Sequence, residues 1–108
     1  EHNTQFTIQL DVSFRKLRED DLPKLEWYGE FKHFRNLFRR SYLGQLKSER
    51  LMLVADVNNF PIGRLFIQYG RKGRSHLSDG HSKGYLYSFH LMELFRGKGI
   101  GTRLIQLA

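Results

Sequence analysis

Cysteine is absent from the 108 residues, so disulfides, thiolate metal sites and a cysteine nucleophile are excluded. Long apolar runs are missing as well. The longest, residues 51–55, falls far short of the ~20 residues that a membrane helix needs, and residues 1–5 carry no apolar stretch of the signal-peptide kind. The expectation is a cytoplasmic protein with no membrane partner. No internal repeat and no low-complexity segment interrupts the chain.

What is present is apolar and basic. Hydrophobic residues make up 40% and aromatic residues 14%, a composition that belongs to packed globular proteins and not to disordered ones. A chain of this length suits a single domain, 1–108, with one core. The formal net charge of +7 favours polyanionic partners, which include nucleic acid, an anionic membrane and a phosphorylated cofactor. Charge by itself does not choose among them.

Residues 6–17 alternate (Phe6, Ile8, Leu10, Val12, Phe14) and predict a first strand with one buried face. Asp20 and Asp21 before Leu22 and Pro23 read as a carboxylate-capped start of a helix opening near Asp21, which Gly29 interrupts. Phe31, Phe34, Phe38 and Tyr42, with Leu37 beside them, recur at helical spacing to about Leu46. They form a core stripe on a second helix. Residues 51–57 and 62–69, separated by Asn58 and Asn59, predict a hairpin. Residues 70–83 read as a polar loop whose His76 and His81 have no third ligand at a metal-binding spacing, so no metal is expected. Residues 84–91 form another strand, with Tyr85, Tyr87, Phe89 and Leu91 on one face and Leu86, Ser88 and His90 on the other.

The most informative residues follow that strand: Arg96, Gly97, Lys98, Gly99, Ile100, Gly101 and Thr102. Glycines at every second position clear side chains from the backbone and permit dihedrals other residues avoid. From Ile100 the pattern turns helical, with Ile100, Leu104, Leu107 and Ala108 on one face. The loop therefore lies at a helix N-terminus, where free N–H groups and the macrodipole favour phosphate. Arg96 and Lys98 add charge, and Thr102 adds a hydroxyl. The nucleoside-triphosphate loop needs Gly-Lys followed by Ser or Thr, and Gly99 stands there instead. The dinucleotide fingerprint needs a last gap one residue longer.

Arg96, Gly99 and Gly101, set between a strand and a helix, resemble the acetyl-CoA signature of the GNAT superfamily of N-acetyltransferases. Phe89 to Leu91, and Phe95 ahead of the arginine, extend the likeness, although Glu93 stands where the family often has proline. The resemblance implies an α/β (α+β) fold with a mostly antiparallel central sheet flanked by helices. It also implies further C-terminal strands that this chain lacks. Acetyl-CoA is the implied cosubstrate, held by Phe89, Leu91, Arg96, Gly97, Lys98, Gly99, Ile100, Gly101 and Thr102. Its pantetheine arm would run beside residues 89–91, and a deprotonated amine would attack the thioester directly. A backbone N–H near Leu91 would face the oxyanion.

Glu93 and His90 are the titratable neighbours able to serve as general base. The acceptor is left open, being set in this family by the region corresponding to residues 26–42 and by the absent strands. Exposed apolar faces and strand edges lead to the expectation of a homodimer or an exchange of elements between chains. The rival classes are a protein-interaction module and a nucleic-acid-binding module using Arg35, Arg39, Arg40, Arg71, Lys72 and Arg74. The latter has no recognised nucleic-acid motif behind it.

Overall fold

The computed structural model describes residues 4–6, 9–69 and 84–108. The polar loop expected over residues 70–83, with His76, His81, Arg71, Lys72 and Arg74, lies outside the described residues. The chain begins its regular structure with β1 (Ser13–Lys16), then a 3-10 helix (Glu19–Glu26), a short 3-10 turn (Lys32–Phe34) and α1 (Arg35–Leu46). It continues with β2 (Arg50–Val57), β3 (Phe60–Tyr69), β4 (Gly84–Leu91), another 3-10 turn (Glu93–Phe95) and α2 (Ile100–Leu107). The four strands form one antiparallel sheet in the order β1-β2-β3-β4.

The sheet is covered on both faces. Met52, Val54 and Phe66 pack with Phe38, Leu22 and Leu25 on the α1 side, while Leu53, Ala55 and Leu65 pack with Ile100 and Leu104 on the α2 side. Burial on both faces explains why residues 51–55 read as an unbroken apolar run. Each such Leu or Phe contributes about 1.5–3 kcal/mol. The β2–β3 connection is a two-residue turn with Asn58 and Asn59 both at positive φ (52° and 64°), the conformation that asparagine tolerates and that matches strand twist. On α2, Ile100 and Leu104 are buried, whereas Leu107 is 44% exposed.

The N-terminal elements differ from those expected. The first strand occupies only Ser13–Lys16, not residues 6–17. Its partner sets the limit, because Ser13 pairs with Asp56 and β2 ends one residue later at the Asn58–Asn59 turn. Phe6 is 82% exposed, and Ile8 lies outside the described residues. The helix expected near Asp21 begins at Glu19 and is a 3-10 helix. Asp21 does not cap it from outside. Its carboxylate accepts from the Arg18 N–H (2.8 Å) and from Arg15 (2.6 and 3.0 Å). The break assigned to Gly29 begins two residues earlier, since Trp27, Tyr28 and Gly29 all take positive φ (46°, 60° and 102°). Trp27 is anchored there by its indole N–H, which donates to the Pro61 carbonyl at 2.9 Å.

β4 does not alternate as expected. A bulge falls between the pairs Phe66–Ser88 and Ile67–Leu86, leaving Tyr87 without a Cα partner. The extra residue inverts the alternation. Tyr87 therefore packs with Phe66 on the α1 side, with its hydroxyl 2.8 Å from Ser41 Oγ, and does not share the face of Phe89 and Leu91.

Candidate functional site

β4 is the last strand of the sheet, paired with β3 along one edge. The Met92 N–H donates to the Ile62 carbonyl of β3 at 2.9 Å. In an antiparallel ladder successive residues turn their polar groups to opposite edges, so Leu91 and Phe89 direct their N–H and C=O groups to the open edge, the one that no strand pairs with among the described residues. The Leu91 carbonyl accepts there from Arg96 Nε at 3.0 Å.

The Glu93–Phe95 turn then carries the chain into the glycine loop. Gly97 and Gly99 take φ of +77° and +84°, and nothing stands within 4 Å of where a Cβ would project at either. Glycine makes this left-handed backbone inexpensive. The first intrahelical bond of α2 runs from the Arg103 N–H to the Gly99 carbonyl (3.0 Å). The N–H groups of Ile100, Gly101 and Thr102 are therefore left at the open helix end. Burial of Ile100 and Leu104 fixes that end against the sheet. Free donors, a helix dipole, an unfilled cradle and the exposed cations Arg96 and Lys98 fit a diphosphate group. Gly101 is constrained on its other side, where a Cβ would stand 3.2 Å from Phe89 Cζ.

The α1 side of β4 carries a second arrangement. Arg64 of β3 is 1% exposed, although it is charged and lies in an apolar strand. Its guanidinium carbon lies 4.3 Å from the Phe31 ring centroid and 5.0 Å from those of Trp27 and Phe38. Nε donates to Ser88 Oγ at 3.0 Å, while one terminal nitrogen has no hydrogen-bond partner among the described residues. Burial pushes this guanidinium down to about 10, which leaves it charged at neutral pH. Directly across the ladder from Arg64 stands His90, whose ring lies 5.0 Å from Phe31. Partial burial, then the charge of Arg64, pushes the His90 imidazole below its ordinary value, Arg96 adding to the effect and Glu30 opposing it. Glu93 lies past the strand end and is exposed.

The model of the Acetyltransferase (GNAT) family matches residues 12–108. The chain belongs to this family. Membership places the chain among acetyltransferases, and its antiparallel sheet and flanking helices have the fold of its solved relatives. Solved structures carry the same likeness. A predicted acetyltransferase from Clostridium acetobutylicum, determined with acetyl-CoA, has a TM-score of 0.67 at 17% identity over 90% of this chain and 70% of that one. NAA60 from Arabidopsis thaliana with a bisubstrate analogue has a TM-score of 0.66 at 19% identity over 90% and 64%. Glucosamine-6-phosphate N-acetyltransferase from Arabidopsis thaliana has 0.65 at 18% identity over 90% and 71%. The chain thus spans between 64% and 71% of the lengths of these three chains. No curated protein matches the sequence.

The loop and β4 of this GNAT chain are legible in its sequence, whereas Arg64 and Trp27 join them only in the fold. A signal for Arg64 was available: it is the one charged residue between Phe60 and Ile67, and a cation inside a strand buried on both faces requires compensation. Two of the α1 arginines offered as phosphate contacts are engaged with acids: Arg35 with Glu26 (2.8 Å) and Arg39 with Glu19 (3.2 Å). Among the described residues no group of three His, Asp or Glu is placed to hold a metal ion, and no helix is long and apolar enough to cross a membrane.

Proposed function

We propose that this GNAT chain binds acetyl-CoA with its diphosphate on the loop of Arg96, Gly97, Lys98, Gly99, Ile100, Gly101 and Thr102, and catalyses acetyl transfer to a primary amine. The observation that carries this reading is the continuity of two binding devices. The free N–H groups at the start of α2 adjoin the open edge of β4, where Phe89 and Leu91 present backbone groups. An extended pantetheine arm with its own amides can add to such an edge as a strand would. Charge-assisted hydrogen bonds to the diphosphate contribute about 1.5–3 kcal/mol each.

The amine acceptor approaches from the α1 side, lined by Phe31, Ser88 and His90. Direct attack needs a deprotonated amine and a donor for the developing oxyanion. His90 takes the proton in this reading, since its imidazole is held below its ordinary value, which favours the neutral, proton-accepting form. The Leu91 N–H at the open edge meets the thioester oxygen; as the new C–N bond forms the C–S bond breaks, and CoA leaves as a thiolate that takes its proton from solvent. Glu93 is the alternative base, acting through water from beyond the strand end. Titration calorimetry with acetyl-CoA tests the donor site, and thiol release across a panel of primary amines tests the transfer. Absence of acetyl-CoA binding by the folded chain sinks the proposal.

A further inference from the structure

The arrangement around Arg64 is not used by the donor site. A buried cation ordinarily has an acid beside it or costs several kcal/mol. Arg64 has no ion pair among the described residues. Its compensation is aromatic: Phe31, Trp27, Phe38 and Phe66 surround the guanidinium at 4.3 to 6.0 Å, and each face of such a ring attracts a cation. A leucine would fill much of this volume without a charge to compensate, so the cage fixes a charge at a chosen place. That place is opposite His90, the Arg64–His90 pair being in direct register on adjacent strands. Residues so paired have Cβ atoms about 4.5–5.5 Å apart. Phe31 contacts both the guanidinium and the imidazole, so one ring orients the two groups together.

We propose that Arg64 is a positioning residue that acts on the transfer reaction through His90, as a fixed buried charge that opposes a second positive charge on the ring across the ladder. The imidazole is then kept as a proton acceptor at neutral pH. The charged groups facing His90 are Arg64 from β3, Arg96 from the loop after β4 and Glu30 from the turn before α1. The first two disfavour protonation and the third favours it. This inference rests on the reading of His90 as base for its consequence in catalysis, but not for its electrostatics.

The test is an NMR titration of the histidine rings in the intact chain, with His90 assigned by loss of its signal in His90→Gln. Arg64→Met keeps an unbranched side chain against the aromatics and should raise the His90 midpoint toward about 6.5. Glu30→Gln removes the opposing charge and should lower it, a variant at an exposed position that does not threaten folding. Arg64→Lys should restore the depressed midpoint. A His90 midpoint unmoved by Arg64→Met, or unmoved by Glu30→Gln should Arg64→Met not fold, overturns the inference. The pH profile of kcat/KM separates the two readings: a profile that stays still while the NMR midpoint moves retires His90 as the base and leaves the Arg64 coupling standing.

Discussion

Gly101 sits against Phe89, so that a Cβ at position 101 would stand 3.2 Å from the tip of the ring. The first turn of α2 and the outward side of β4 touch here, where the donor would turn from loop to strand. Phe89 is 38% exposed and can move by a few tenths of an ångström. Gly101→Ala should therefore fold normally and weaken acetyl-CoA binding by no more than about 1 kcal/mol, or roughly fivefold. Gly101→Asp combines crowding with a carboxylate at a helix end that favours anions and should weaken it by more than about tenfold. Calorimetry on both variants decides, and equal affinities for the two would remove the loop from the donor site.

The Arg15 guanidinium bridges two carboxylates, reaching Asp21 at 2.6 Å and Asp56 at 2.8 Å. Burial pushes the Asp21 carboxyl up, but hydrogen bonds from Arg15 and from the Arg18 N–H outweigh it, and the net shift is downward. A carboxyl depressed on folding contributes stability that is present above its unfolded value, about 3.9, and is lost as pH falls through the lower folded value. Asp21→Asn should cost about 3 kcal/mol in urea denaturation at pH 7. That difference should shrink below pH 4, and a constant difference down to pH 2 would show that the charge of Asp21 is not what stabilises the turn.

Trp27, Tyr28 and Gly29 form three consecutive left-handed residues, each non-glycine one costing on the order of 1–2 kcal/mol. The indole hydrogen bond to Pro61 and the stacking of Tyr28 on Phe60 at 5.6 Å offset that strain. Trp27→Phe, which removes the donor and leaves the Pro61 carbonyl buried, should destabilise by about 1–2 kcal/mol. Gly29→Ala should cost about 1 kcal/mol although open space surrounds the position, because the penalty lies in its φ of +102°. Chemical denaturation of the two variants measures both, and an unchanged midpoint for Gly29→Ala would mean that this backbone relaxes.

What the sequence made legible was local. The Asn58–Asn59 turn, the order of elements and the glycine loop follow from residues acting on their own backbone. The features missed depend on distant partners. β1 begins no earlier than Ser13 because its partner β2 turns away there, and the face of Tyr87 depends on a bulge against β3. The left-handed backbone at Trp27 is held by Pro61, 34 positions away. Arg64 belongs to the same kind: its strand pattern marked it as out of place, but only the fold brings Trp27, Phe31 and Phe38 around it. His90 was a candidate by residue type, and its environment emerged only with that cage.

The glycine loop and the basic face of α1 should respond oppositely to substitution. Gly99 is the residue before α2, at φ +84° and with nothing within 4 Å of a projected Cβ. An aspartate there projects its carboxylate into the open cradle, repels phosphate oxygens and occupies their approach to the Ile100 and Gly101 N–H groups. Losing even two charge-assisted bonds of about 1.5–3 kcal/mol each raises the Kd for acetyl-CoA by two orders of magnitude or more. Arg39 and Arg40 lie on α1, across the sheet from α2, and Arg39 is paired with Glu19. Arg39→Ala combined with Arg40→Ala should change that Kd by less than about twofold. A nucleic-acid-binding protein would show the reverse order, with the arginine pair setting affinity and its salt dependence. Circular dichroism must first show that Gly99→Asp is folded, since strain at a left-handed position costs about 1 kcal/mol in its own right. Folded Gly99→Asp that retains normal affinity for acetyl-CoA would move the diphosphate site away from this loop.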